Sequence, residues 1–193
     1  MRRRPNCSDA EGPSGAGLNA IAAKAGFTKS NVYRYFESRE QVLLELFHDE
    51  FVKLAGAMEA TIDAQPSGDL PAPAEAISTT FLAHPRCCAL IAILTSTLEQ
   101  NVSEDTIATT KLHMNAQTAR IITALAARLP GTTPADCGWA IAMTGTLLVG
   151  MWPNANPPPA ARAVLARPEF KHLRVDLSHD LKRAAQALLQ SIV

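Results

Sequence analysis

Large apolar residues recur every three or four positions from Leu43 to Ile62, as Leu43, Phe47, Phe51, Leu54, Met58 and Ile62. That spacing puts them on one face of an α-helix. The preceding Ser38-Arg39-Glu40-Gln41 has the form of a capping box, with the Ser38 hydroxyl reaching the backbone of Gln41 and the Gln41 amide reaching back. One helix is therefore predicted from Ser38 to about residue 65, roughly 40 Å long at 1.5 Å per residue. Upstream, Leu18, Ile21, Ala22 and Ala25 share a face of a short predicted helix, 18–25. Gly26 ends it in the left-handed C′ role, and Thr28 can cap a second short helix through Phe36.

Prolines mark where the other helices can lie. None of the 13 falls between Ser14 and Gln65, between Arg86 and Leu129, between Ala135 and Trp152, or after Pro168. Because proline breaks helix interiors, these windows admit long helices. They are predicted near residues 74–83, 85–100, 103–129, 134–152 and 176–192, with a short one around 160–166. Pro85 and Pro134 suit first-turn positions, where the missing N–H costs nothing. The stretch 65–73 reads as a Pro/Gly linker between a small N-terminal unit and a larger one, and 153–159 as a rigid break. No segment alternates with a period of two, so the fold class is all-α.

Composition agrees with a packed protein. Of 193 residues, 47% are hydrophobic and 19% charged, which excludes wholesale disorder, and with only 5% aromatics the core must be mostly aliphatic. Net charge is zero but uneven: residues 1–39 hold seven Lys or Arg against three acids, +4, and the remainder is −4. A basic end on an acidic body is the asymmetry expected when one end meets a polyanion. Cys7, Cys87, Cys88 and Cys137 form no C-x-x-C and read as small buried hydrophobes in a reducing compartment. Met1 is followed by three Arg rather than an apolar signal-peptide core, and the longest apolar runs, 87–98 and 139–152, are too short to span a bilayer. A soluble, cytoplasmic protein without membrane contact is expected.

Two short helices joined by a tight turn containing glycine follow the helix-turn-helix plan, whose second helix enters the DNA major groove. On that second helix Val32 and Phe36 face one way, and Ser30, Asn31, Tyr33 and Arg34 spread over the opposite arc, where they can reach base edges and phosphates. Lys29 and Tyr35 flank the arc, and the free N–H groups at Thr28 can meet a phosphate. Spacing alone equally describes an amphipathic helix with a solvated polar face. The residues go further. The run Ala20-Ile21-Ala22-Ala23-Lys24-Ala25-Gly26-Phe27-Thr28-Lys29-Ser30-Asn31-Val32-Tyr33-Arg34-Tyr35-Phe36-Glu37-Ser38-Arg39-Glu40 closely resembles the DNA-binding segment of TetR-family transcriptional regulators. The resemblance covers about residues 17–47, and Met151-Trp152-Pro153-Asn154-Ala155-Asn156-Pro157 is similar to a segment of one subgroup. It implies a helix-turn-helix DNA-binding domain, 1–47, and a helical ligand-binding and dimerisation domain, 48–193. Carried over, Thr28, Lys29, Asn31, Tyr33 and Tyr35 stand at positions that touch DNA, and Arg39 where the family's Lys contacts a phosphate. One departure stands out: the family's amphipathic first helix is replaced here by MRRRPNCSDAEGPSGAG, whose prolines and glycines forbid a regular helix.

Other chemistry is sparse. His48, His84, His113, His172 and His179 give no metal-binding spacing, and there is no G-x-S-x-G, P-loop or G-x-G-x-x-G, so neither enzyme activity, metal nor cofactor is expected. Met114, Gln117, Met143, Thr144 and Trp152 are candidate ligand-pocket residues, or plain core. Gly145 and Gly150 permit close helix approach, at a dimer seam or within the chain. Leu177, Leu181, Ala184, Ala185, Leu188, Leu189 and Ile192 form a stripe suited to dimerisation, together with a helix near 139–151. The expected function is a homodimeric, ligand-responsive transcriptional repressor that binds a palindromic operator in double-stranded DNA and a small-molecule effector. The alternative is a helical small-molecule-binding or dimerisation protein with impaired DNA binding.

Overall fold

The computed structural model describes residues 38–193. The two short helices predicted before Ser38, the Pro/Gly-containing stretch 1–17, Cys7 and the DNA-contact candidates Thr28, Lys29, Ser30, Asn31, Tyr33, Arg34 and Tyr35 lie outside the described residues. Among those described, every regular element is helical, in keeping with the all-α expectation.

Helix α1 (Arg39–Asp63) starts where the cap dictates: Ser38 Oγ accepts the Gln41 N–H at 3.1 Å. Its apolar stripe, extended by Leu44 and Ala55, is buried from Leu43 to Ile62. Helix α2 (Pro71–Ala83) begins earlier than the expected residue 74, because Pro71 and Pro73 both fit its first turn. The Pro/Gly stretch before it is a turn within one packed unit, not a divider: α1 and α2 pack on each other, and Gly68, at φ +82°, donates its N–H to Arg128 O at 2.8 Å.

Residues 85–100 do not form one helix. Helix α3 (Pro85–Ala92) stops at Ile93, and Leu94–Leu98 follows as a π-turn in which the N–H of Leu98 reaches Ile93 O. Ile91, Ile93, Thr95 and Thr97 are β-branched and crowd the preceding turn, which weakens regular α geometry there. Helix α4 (Glu104–Arg128) is capped by Ser103. Helix α5 (Pro134–Ala155) is capped by Thr133 and Asp136, each side chain bonded to the other residue's backbone N–H. Contrary to the expected break, α5 continues past Pro153, whose neighbouring carbonyls are taken by side chains: Asn154 Nδ2 donates to Gly150 O and Asn156 Nδ2 to Trp152 O. Helix α6 (Pro159–Leu165) and a 3₁₀ turn, Pro168–Leu173, contain no buried residue. Helix α7 (Leu177–Gln190), capped by Asp176, closes the chain.

Helices α1 and α4 run parallel in close contact. His48 meets Thr110, Glu59 meets Arg120 and Asp63 meets Arg128, so numbers rise together along both helices. Helix α7 lies on α2 and α5. This placement divides the stripe read as a dimer face: Leu177, Leu181, Ala185 and Leu189 are buried in the chain's own core, whereas Ala184, Leu188 and Ile192 stay half-buried. Cys87, Cys88 and Cys137 are buried free thiols, as expected. Burial pushes the Cys88 thiol up to about 12, and it pushes Cys87 higher still, so neither is a nucleophile at neutral pH. No described helix is long and apolar enough to cross a membrane.

Candidate functional site

A cavity of about 380 Å³ lies among the helices. Helix α1 contributes Phe51, Leu54 and Met58 to its wall, α2 contributes Phe81, and α3 with the π-turn contributes Ile91, Leu94 and Thr95. The π-turn thus shapes one side of the space, a common use for this irregular geometry. Helix α4 supplies Lys111, Met114, Asn115, Thr118 and Ile121, whose spacing of three and four residues aligns them on one face. Helix α5 supplies Ile141, Ala142, Gly145, Thr146 and Val149. The size and mainly apolar lining are those of a small-molecule site. Two depressions around residues 154–177 are wider but open to solvent, and Arg162 and Arg174 at their rim are bonded to Pro157 O and Leu165 O.

Glycine at 145 sets the room available. A Cβ built there meets no described residue within 4 Å, so Gly145 does not serve a close contact among the described helices; it widens the cavity. Gly150 likewise has no close neighbour, and the tight glycine is Gly138, whose Cβ would lie 3.2 Å from Ile122 Cδ1. Among the sequence candidates, Met114 lines the cavity. Gln117 lies off it and accepts from Arg120 Nη1 at 3.0 Å. Thr144 is buried and gives its hydroxyl proton to Ala140 O, while Trp152 borders one of the shallow depressions. Met143 is half-buried between Trp139 and Leu147, which are 47% and 39% exposed and therefore face outward. Sequence reasoning missed Phe51, Met58, Phe81, Lys111, Asn115 and Thr118. The available signal was the polar set Lys111, Asn115 and Thr118, which recurs at helical spacing on a helix whose partner carries an internal glycine.

The cavity connects to the basic N-terminal segment through α1. Arg39 opens that helix, and its Nε and Nη2 are buried without a hydrogen-bond partner among the described residues. One turn before Phe51, His48 sits in the α1–α4 seam, its ring 4.7 Å from that of His113. Thr110 gives its hydroxyl proton to Thr106 O, which leaves its oxygen to accept from His48 Nε2 at 3.1 Å. Burial first, and then the adjacent His113, hold His48 below the usual imidazole range. Glu50 is 8% exposed and paired with Lys53 at 2.8 Å and Arg86 at 3.7 Å, which ties α1 to the start of α3. The bond from Lys53 keeps its carboxyl below the ordinary range. Among the described residues, no three His, Cys, Asp or Glu side chains are placed to hold a metal ion.

Two family models match this chain. Residues 9–46 match the model described as bacterial regulatory proteins, tetR family, and residues 48–192 match the tetracyclin repressor-like C-terminal domain. No curated protein matches the sequence. The second model alone spans well over half of the chain and takes in the whole cavity, while the first takes in the helix-turn-helix run 20–40 that leads into α1. The protein belongs to the TetR family and is a DNA-binding transcriptional regulator.

Proposed function

We propose that the protein is a ligand-responsive repressor: a homodimer that binds a palindromic operator and releases it when a small molecule fills the cavity. In this reading residues 1–47 are the DNA-binding unit and 48–193 the regulatory unit, and the protein acts in the cytoplasm. Thr28, Lys29, Ser30, Asn31, Tyr33, Arg34, Tyr35 and Arg39 meet DNA. Lys29 and Arg39 contact phosphate, and Asn31 reads a base edge. A two-fold dimer implies matching half-sites, one per successive major groove.

One observation carries the proposal. The helix that begins at Arg39, directly after the recognition segment, is the same helix that walls the cavity with Phe51, Leu54 and Met58. A ligand favouring a different setting of α1 therefore changes the distance between the two recognition helices. The dimer seam is proposed to join Trp139, Met143 and Leu147 of α5 with Ala184 and Leu188 of α7 and Ile192 just beyond it. These residues are exposed or half-buried and follow helical spacing on neighbouring elements. A gel-shift titration against DNA upstream of the gene tests the proposal. Salt-dependent binding to a palindromic fragment supports it. No binding to any neighbouring fragment sinks it, in favour of a helical binding protein with impaired DNA affinity.

A further inference from the structure

Among the described residues whose side chains face the cavity, only Lys111 is ionisable. Its Nζ lies 2.5 Å from Glu99 Oε1, and Glu99 is 14% exposed, so the charge is already paired at the cavity's edge. A cation entering this space finds no carboxylate in the wall and one ammonium that repels it. An anion gains attraction from Lys111 but meets repulsion from Glu99 beside it, and it loses its hydration in a mostly apolar space. An uncharged polar group avoids both penalties. Hydrogen-bonding capacity is present for it: Asn115 and Thr118 lie one and two turns beyond Lys111 on the same helix face, and neither side chain bonds to another described residue. Thr146 across from them is spent, its hydroxyl donating to Ala142 O at 2.9 Å. Away from that stripe the wall is mainly apolar, with Phe51, Met58, Phe81, Ile121 and Ile141, the Thr95 hydroxyl on the π-turn and the open space above Gly145.

From this arrangement we infer that the cavity takes an uncharged, largely apolar molecule carrying a carbonyl or hydroxyl oxygen at one end. The oxygen lies on the Lys111–Asn115–Thr118 stripe and the hydrocarbon body between Phe51, Phe81 and Ile141. This assignment rests on reading the cavity as the effector site, and it adds the chemical class of the effector.

Four probes of equal chain length separate the classes: 2-nonanone, 1-nonanol, nonanoate and nonylammonium, each titrated calorimetrically into the full-length protein below its aggregation threshold. The ketone and alcohol bind at least tenfold more tightly than nonanoate, with nonylammonium weakest. Shortening the ketone weakens it by about fourfold per methylene removed. Gly145→Leu, which fills the open space, weakens the ketone tenfold or more. Asn115→Leu, at an exposed position with no structural bond to lose, weakens it severalfold and keeps the assignment testable if the glycine variant fails to fold. Tightest binding by nonanoate or nonylammonium, no binding by any probe, or ketone binding indifferent to both substitutions overturns the assignment. A gel shift run with the same probes separates this inference from the regulatory one. If the ketone binds but leaves DNA affinity unchanged, the class stands and ligand control falls. If nonanoate releases DNA and the ketone does not, ligand control stands and the class falls.

Discussion

Replacing Gly145 by leucine should make the protein more stable while closing its cavity. Gly145 lies inside α5 without a positive φ, and a Cβ there meets nothing within 4 Å, so neither strain nor a clash opposes the change. Leucine is better than glycine in a helix interior by about 0.8 kcal/mol. Full burial of a leucine side chain is worth roughly 1.5–3 kcal/mol, of which about half is available at this half-buried position. Ordering the side chain takes back about 0.5–1 kcal/mol. The net gain is on the order of 1 kcal/mol, which raises Tm by roughly 2–4 °C in a chain of this size. Gly145→Ala isolates the helix contribution and should raise Tm by a similar or smaller amount while leaving most of the space open. Thermal melts followed by circular dichroism, with and without ligand, read both effects. A lower Tm for Gly145→Leu would refute the reasoning, because the space would then be filled in a way the helix packing does not reveal.

Three further outcomes follow from the same structure. Lys29→Ala should lower DNA affinity across all sequences and flatten its salt dependence, whereas Asn31→Ala should relax base preference; equal loss from both, measured by gel shift over several salt concentrations, contradicts the division of roles. Leu188→Arg should convert a dimer to a monomer in light scattering at micromolar concentration, and a wild-type chain already monomeric there sinks the proposed seam. His48 is held below its unfolded value, so the folded state binds fewer protons than the unfolded one. Stability is complete above about pH 6.5 and declines as pH falls from there toward the lower folded value. Urea midpoints should show that decline, His48→Gln should reduce it, and an unchanged pH profile in the variant speaks against burial as its cause.

The long helix was legible because two independent signals agree: Ser38 supplies a cap, and the stripe from Leu43 to Ile62 keeps one period throughout. Local chemistry also explains where the reading slipped. Periodicity does not distinguish an α-turn from the π-turn at 94–98, because Leu94 and Leu98 remain four apart in either geometry. Pro153 signals a stop, yet in a last turn its lost bond is tolerated when asparagine side chains cover nearby carbonyls. The cavity was harder still. Met and Trp were chosen for their adaptability, but which face of α5 points inward depends on where α4 and α7 lie, and that turns Met143 and Trp152 away from the cavity. Gly145 stands out in the sequence, but only the absence of any neighbour beside it gives that glycine its meaning.

The parallel seating of α1 on α4 has a geometric consequence. The far end of α1 is anchored twice, by Asp63 on Arg128 and by Gly68 on the Arg128 carbonyl. A rigid helix that swings about one end acts as a lever. At 1.5 Å per residue, Met58 lies about 8 Å from that fulcrum, Phe51 about 18 Å and Ser38 about 37 Å. Swinging about Asp63, the helix multiplies a displacement at Phe51 roughly twofold by Ser38, and one at Met58 roughly fivefold. In the proposed response to ligand, a swing that moves the α1 backbone by about 1 Å at Met58 would carry the start of the helix by several ångströms, and it must also loosen the ties of His48 to Thr110, Glu50 to Arg86 and Glu59 to Arg120. Gain of this kind depends on the length of the helix and on where a ligand presses, so in the proposed mechanism a molecule seated nearer Met58 would drive the larger stroke.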